Sequence, residues 1–422
     1  MGVISPVGLA VDEFWSALLA GRSGVGPITR FDASSYPVRI GAEVRGFAAT
    51  DYMDRKEARH MDRFSQYAVA AAAQAVAQAG LDLDRVDRTR VGVVLGTGIG
   101  GIETEVAQQE VMFQRGRGHV SPFFIPMMIA NMAAGQIAIH FGFGGPNNTV
   151  VTACASGNNA IGEAFRVLQR GDADAMLAGG SEAPFVPLCL DGFCAMRALS
   201  TRNDDPEAAC RPFDLDRDGF VIGEGAGVVV LETLEHALGR GVPILAEVIG
   251  YGYSADAYHV TAPPPDGNGG ARAMAAALSD AGLAAEDVDY INAHGTGTPQ
   301  NDRTETLAIR RVFGDHAGRT AISSTKSMTA HLLGAAGAVE FVACVQSLRT
   351  GWIAPTINYA RPDPECDLDY TPNEAVLRHP RVAMSNAFGF GGQNATVVVK
   401  SWNHENSTGR PGGSGVATTD RH

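Results

Sequence analysis

Four side chains of types that do chemistry stand just beyond strand-like runs in this sequence: Cys154, His294, Lys326 and His331. Cys154 follows the β-branched run 149–152. After it Ile161, Ala164, Phe165 and Leu168 recur at helical spacing, so the cysteine sits where a strand turns into an amphipathic helix. A thiol there faces free backbone N–H groups and the positive end of a helix dipole, which favours the thiolate. A free cysteine is also a common small core residue, and this stretch alone leaves core and nucleophile both open. His294 leaves the run 288–293 within Asn292-Ala293-His294-Gly295-Thr296-Gly297-Thr298-Pro299. Lys326 and His331 leave the run 320–324 within Ser323-Ser324-Thr325-Lys326-Ser327-Met328-Thr329-Ala330-His331. A lone histidine in such a turn is usually a satisfied hydrogen-bonding residue. Two histidines, a lysine and a cysteine, all at strand ends, point instead to a nucleophile served by imidazoles.

The elements that must position these residues alternate along the chain. Runs at 91–95, 149–152 and 175–178 read as strands, the last ended by Gly179-Gly180, and a glycine-rich turn feeds another strand within 219–232. The second half reads strand 244–248, helix 270–281, strand 288–293, helix 304–313, strand 320–324, helix 335–348 and final strand 395–400. Asn386-Ala387-Phe388-Gly389-Phe390-Gly391-Gly392 reads as a turn before that last strand, and 190–218 as a polar, turn-rich connection. Strands alternating with helices in both halves predict an α/β fold of two similar halves, with parallel sheets covered by helices. The four reactive residues converge if the carboxyl ends of both sheets face the same way. The chain opens on Gly2-Val3-Ile4-Ser5-Pro6-Val7-Gly8, which reads as the turn after a strand that is missing, followed by a helix over 11–19 and an Ala-rich helix over 66–79.

Composition excludes several classes. A net charge of −13 argues against broad nucleic-acid binding, although an acidic partner can still dock on a local basic patch. No apolar run is long enough for a membrane span, and the start lacks a secretory pattern. The six cysteines form no C-x-x-C pair and no Cys/His cluster, so neither a disulfide framework nor a metal site is expected and a reducing cytoplasm fits. Gly96-Thr97-Gly98-Ile99-Gly100-Gly101 after a strand matches the dinucleotide fingerprint, but no second strand ending in an acidic residue follows, so we read it as a tight loop lining a narrow pocket. Arg55, Lys56, Arg59, His60 and Arg63 recur at helical spacing over 51–64, which by itself is a solvated helix face. The polar, Gly-rich tail 403–422 is expected to be disordered.

The motifs Thr152-Ala153-Cys154-Ala155-Ser156-Gly157, Asn292 to Pro299, the stretch 324–340 and Asn386 to Gly392 together resemble the β-ketoacyl-acyl carrier protein synthases over nearly the whole chain. The likeness is to the synthase II type and to ketosynthase subunits of type II polyketide systems. It implies a thiolase-like fold, a duplicated αβαβα five-layer core with two mixed sheets, in halves 1–239 and 240–402. It implies a Cys154–His294–His331 site for decarboxylative Claisen condensation of malonyl-carrier protein with a Cys-bound acyl chain. Lys326 would orient the site, paired with Glu340. The N–H groups of Cys154 and Phe390 would form an oxyanion hole, with Phe390 as a gate beside Phe388. Thr296 and Thr298 would bind the pantetheine arm, and Ile99 and Phe193 would line the acyl pocket. Lys56, Arg59, His60 and Arg197 would dock an acidic acyl carrier protein. Substrates ride the carrier's phosphopantetheine, so no separate cofactor or metal is implied. The partners implied are acyl carrier protein and a second subunit, identical or chain-length-factor-like.

Some residues depart from the family pattern. Ala330 stands where a glycine is usual, and the missing first strand would deprive its sheet of a central member. Gln300-Asn301-Asp302-Arg303 and Gln393 lean toward polyketide enzymes, and the lysine stretch toward fatty acid enzymes. A CoA-dependent thiolase would need a second cysteine in the turn 388–391, where none stands. A non-catalytic partner subunit would lack the nucleophile.

Overall fold

In the computed structural model, which describes residues 1–402, the strands form two five-stranded sheets. The first contains β1 (Gly2–Ile4), β2 (Val91–Gly96), β3 (Asn147–Val150), β4 (Ala175–Glu182) and β5 (Gly225–Glu232), in the order β1-β5-β4-β2-β3. The second contains β6 (Ala246–Ala255), β7 (Tyr290–Asn292), β8 (Ala321–Ser323), β9 (Val382–Gly389) and β10 (Gln393–Ser401), in the order β8-β7-β9-β10-β6. Both sheets carry the same pairing pattern. Starting from β3 or β8, two parallel ladders are followed by two antiparallel ones. The expected duplication is therefore present, and the sheets are mixed. Helix–strand alternation alone predicted parallel sheets. The antiparallel members arise because β4 and β5, and likewise β9 and β10, follow one another without a crossover helix packed between them.

Between the sheets lie two helices, α2 (Ser156–Gln169) and α5 (Ala336–Thr350), which touch each other and both sheets. The outer face of the first sheet is covered by α1 (Arg63–Ala79), and that of the second by α3 (Asn268–Ala281), against which α4 (Pro299–Phe313) packs. The result is a five-layer αβαβα stack. Its central layer explains why α5 has no solvent-facing side until its last turn: its residues Ala336 to Leu348 are all buried, Glu340 among them. The halves are tied by polar contacts too. Asn158 on α2 donates to the Ser385 carbonyl on β9 at 2.9 Å, and Asn159 to the Tyr251 hydroxyl at 2.7 Å.

Several expectations are corrected. Gly2–Ile4 is a strand and not part of a turn: it pairs antiparallel with β5, at the edge of its sheet rather than its centre. Three residues give too short a pattern to read, and full burial against α1 holds them. β4 runs on through Gly179-Gly180 to Glu182, because glycine there lets the β5 backbone and the Gly334 turn approach closely. The predicted turn 386–392 is largely strand β9, with only Phe390, Gly391 and Gly392 turning. The basic run 51–64 is no single helix. It holds a short turn Arg55–Ala58, then breaks before Asp62, whose carboxylate caps α1 at Phe64. Within 190–218 lies most of a helix, Pro187–Ala195. The expected disorder of 403–422 lies outside the described residues.

Candidate active site

Cys154, His294, Lys326 and Phe388 all stand at or just past the carboxyl ends of parallel strands β3, β7, β8 and β9, the place where open α/β sheets present ligand sites. His331 arrives differently. It lies beyond the short helix Lys326–Thr329, and the first half holds it: its N–H donates to the Val221 carbonyl at 2.8 Å and its carbonyl accepts from Gly223 at 2.9 Å. The second imidazole is thus placed by a strand-like bridge between halves, which no local pattern announces.

One cavity of about 460 Å³ is lined by Cys154, His294, His331, Thr296, Thr298, Phe388, Phe390, Ile99, Phe193 and Arg197. Ten of the residues singled out from sequence therefore meet in one space. Lys326 and Glu340 lie behind it, fully buried, with Lys326 Nζ 2.5 Å from Glu340 Oε1. Lys56 and Arg59 are exposed outside the cavity, and His60 stacks on Phe123 at 3.8 Å. Arg197 differs from them in position, exposed on the cavity lining with a left-handed backbone (φ 55°).

Electrostatics revises one expectation. Burial pushes the Cys154 thiol up to about 12, against the Lys326 charge and the backbone N–H groups of Phe390 and Cys154 itself; the Glu182 charge adds to the rise. Desolvation of the buried sulfur therefore outweighs the helix terminus and favours the thiol. The N–H groups of Phe390 and Cys154 aimed at the sulfur are the donor pair an oxyanion there would use. Both imidazoles are held well below their usual range, by burial first and then by the Lys326 charge, so each is neutral. Their rings meet edge-on, 5.3 Å apart, and the Nδ1 atom of each is buried without a partner.

The turns that carry these groups are strained where chemistry is expected. Ala153, Ala330 and Leu333 have φ of 49°, 58° and 50°. Ala330, with ψ −171°, sits in a region almost confined to glycine, which is the physical reason a glycine is the usual residue there. The turn at 390–392 is held by Gly391 N–H to Val260 O (2.8 Å) and by Asp256 N–H to Gly392 O (2.8 Å), and Asn394 Nδ2 donates to Asp256 Oδ1 at 2.7 Å.

Sequence reasoning missed two carboxylates. Glu305 on α4 accepts from the backbone N–H of His294 (2.8 Å) and Gly295 (2.7 Å), fixing the histidine's turn, and burial lifts its carboxyl to about 7. Glu182 at the end of β4 accepts from the loop at 97–99 and from Gly334. A lone Glu at a strand end or on a buried helix face was the only available signal.

Comparison with known proteins agrees with this geometry. The family described as beta-ketoacyl synthase, N-terminal domain, matches residues 1–237, and its C-terminal domain counterpart matches residues 245–360. The chain is 54% identical to a 3-oxoacyl-[acyl-carrier-protein] synthase 2 of Synechocystis, covering 95% of this chain and 97% of that one. It is 53% identical to the protein of the same name from Staphylococcus aureus, covering 95% and 99%. Among solved structures it resembles the ishigamide ketosynthase/chain length factor (TM-score 0.90, 39% identity, 95% and 98% coverage). It also resembles a type II polyketide ketosynthase solved with its acyl-carrier protein and a hexaketide (TM-score 0.87, 36% identity, 95% and 98% coverage).

Proposed function

This chain belongs to the beta-ketoacyl synthase family, and we propose that it elongates acyl chains by decarboxylative condensation on acyl carrier protein. The observation that carries this is the single cavity in which a cysteine, two neutral imidazoles and two backbone N–H donors meet. In the first half-reaction the Cys154 sulfur attacks the carrier thioester. The C–S bond to pantetheine breaks as the new one forms, and the cysteine proton ends on the departing pantetheine sulfur. Malonyl-carrier protein then loses CO₂, and the electron pair of the broken C–C bond passes into an enolate. The neutral N–H groups of His294 and His331 stabilise its oxygen without a strong acid. The enolate carbon attacks the Cys154 thioester, and the N–H groups of Cys154 and Phe390 hold the tetrahedral oxyanion. Its collapse breaks the C–S bond and expels the Cys154 thiolate, which takes a proton from water to restore the thiol.

The remaining assignments follow from position. Lys326, locked to Glu340, supplies a fixed positive charge behind both imidazoles, and Thr296 and Thr298 line the way in for pantetheine. Ile99 and Phe193 bound the acyl pocket, and Phe390 with Phe388 forms the gate. The exposed Lys56 and Arg59, with His60 and Arg197, offer an acidic carrier protein its docking charges. The reaction needs no cofactor beyond the carrier's phosphopantetheine, and cytoplasmic residence suits it. No helix of the described residues is long and apolar enough to cross a membrane. Strand β3 leaves an open sheet edge, with Val151, Ile139, Ile125 and Phe113 more than half exposed on the same stretch of chain, so a second subunit covers it in our reading. The names of the relatives favour fatty acid elongation by a homodimer. A heterodimer with a chain-length-factor-like subunit is the second reading, favoured by the ketosynthase/chain length factor neighbours.

Intact-protein mass after mixing with acyl-carrier protein tests the proposal. Wild type gains one acyl group and Cys154→Ala gains none. An adduct seen only with a co-expressed partner selects the heterodimer, and no adduct under either condition refutes the nucleophile.

A further inference from the structure

The carboxylate of Glu182 is fully buried at the carboxyl end of β4, and among the described residues no lysine or arginine pairs with it. Its four partners are all donors. Oε1 accepts from Thr97 Oγ1 (3.0 Å) and Ile99 N–H (3.1 Å). Oε2 accepts from Gly98 N–H (2.6 Å) and Gly334 N–H (2.9 Å). Three of the four are backbone N–H groups, which can only donate, so the cradle favours the ionised form against the upward push of burial. The two loops it joins belong to opposite halves of the chain. The loop 97–99 carries Ile99 on the cavity lining, and Gly334 follows Leu333, also on the lining, three residues after His331. The backbones approach so closely that a Cβ on Gly334 would lie 2.3 Å from the Gly98 nitrogen.

We propose that Glu182 is a positioning residue that clamps the acyl-pocket loop at Ile99 to the loop following His331, fixing how deep a chain may enter relative to the condensing imidazole. Its charge has a second effect. It stands against the thiolate of Cys154, opposite in sign to Lys326, and adds to the rise that burial gives the thiol. Cys189 feels the same charge. The inference rests on the reading of Ile99 as an acyl-pocket residue, and the experiment separates the two.

The test compares wild type with Glu182→Gln, Glu182→Asp and Ile99→Trp. One readout is the ratio of kcat/KM for hexanoyl- against dodecanoyl-carrier protein, and the other is mass-mapped iodoacetamide labelling of each cysteine at pH 8. In Glu182→Gln the amide NH₂ faces at least one backbone N–H donor, Ile99 in the better orientation, the clamp loosens, and the chain-length ratio shifts by about tenfold or more. Labelling of Cys154 speeds up in the same variant, about threefold for each unit the thiol falls, since the thiolate fraction rises while each thiolate becomes less nucleophilic. The deeply buried Cys344 stays unlabelled. Glu182→Asp keeps the charge and loses the reach, so its ratio shifts while Cys154 labelling stays slow. A uniform loss of activity at both chain lengths, or faster labelling of Cys344 alongside Cys154, would overturn the proposal in favour of a merely structural carboxylate. An unchanged ratio in Ile99→Trp overturns the pocket reading and the clamp's selectivity role with it. A shifted ratio there beside an unchanged one in Glu182→Gln overturns the clamp alone.

Discussion

Replacing Lys326 by Met leaves the Glu340 carboxyl buried without its cation, and replacing Glu340 by Leu strands the lysine charge in the same way. Side-chain exposures of 0% and 3% leave no route for water to compensate, and Glu340 Oε2 already lacks a partner. Breaking such a pair from one side costs about 3–5 kcal/mol, whereas replacing both partners by apolar groups of similar volume is close to neutral. The double variant Lys326→Met/Glu340→Leu should therefore recover most of the stability that either single change loses, read as urea unfolding midpoints. It should not recover reactivity. Lys326 is the foremost charge drawing the Cys154 thiol down, so both variants lacking it should label with iodoacetamide more slowly than wild type. If the double variant is no more stable than the singles, the pair is not the buried bridge described. If Cys154 labels at the wild-type rate without Lys326, its charge does not act on the nucleophile.

Two more outcomes follow from the same site. The folded-state pKa values of His294 and His331 are depressed, so the unfolded chain binds more protons, and their contribution is full above about pH 6.5 and lost as pH falls below it. Each contributes a slope of up to about 1.4 kcal/mol per pH unit in that window. The acid limb of urea-midpoint stability should flatten in His294→Ala/His331→Ala, and an unchanged limb would show that both imidazoles are hydrated. Ala330→Gly relieves a left-handed backbone worth about 1–3 kcal/mol. It forfeits about 0.8 kcal/mol of methyl burial and about 0.4–1 kcal/mol through the freer unfolded chain. The net expectation is a small gain in thermal midpoint, and a clear loss would mean that the turn carries no strain.

The residue types of the site were legible because each reactive group sits at a local boundary that sequence records. Cys154 lies between a β-branched run and a helical repeat, and His294 and Lys326 end strands whose own composition marks them. The acyl-pocket reading of Ile99 and Phe193 came from resemblance rather than from pattern, and both line the cavity without being buried in a core. Glu182 was not legible, since it works through backbone N–H groups up to 152 residues distant at Gly334. Glu305 was not, since its partners are the backbone N–H groups of His294 and Gly295, which no residue-type pattern records. Strand β1 escaped notice for a related reason: three residues carry no periodicity, and their strand character comes from the β5 edge they meet.

Sequence by itself determined which groups are present, the duplicated alternation of elements and the glycine turns that let backbones come close. Tertiary structure alone decided their state and arrangement. The sequence position of Cys154 at a helix start argues for a thiolate, and enclosure makes it a thiol, because desolvation depends on every atom packed around the sulfur and not on its neighbours in the chain. His331 joins His294 only because the segment 221–223 of the other half grips its backbone. Local pattern sets what a segment prefers, but pKa and mutual distance are properties of the assembled interior.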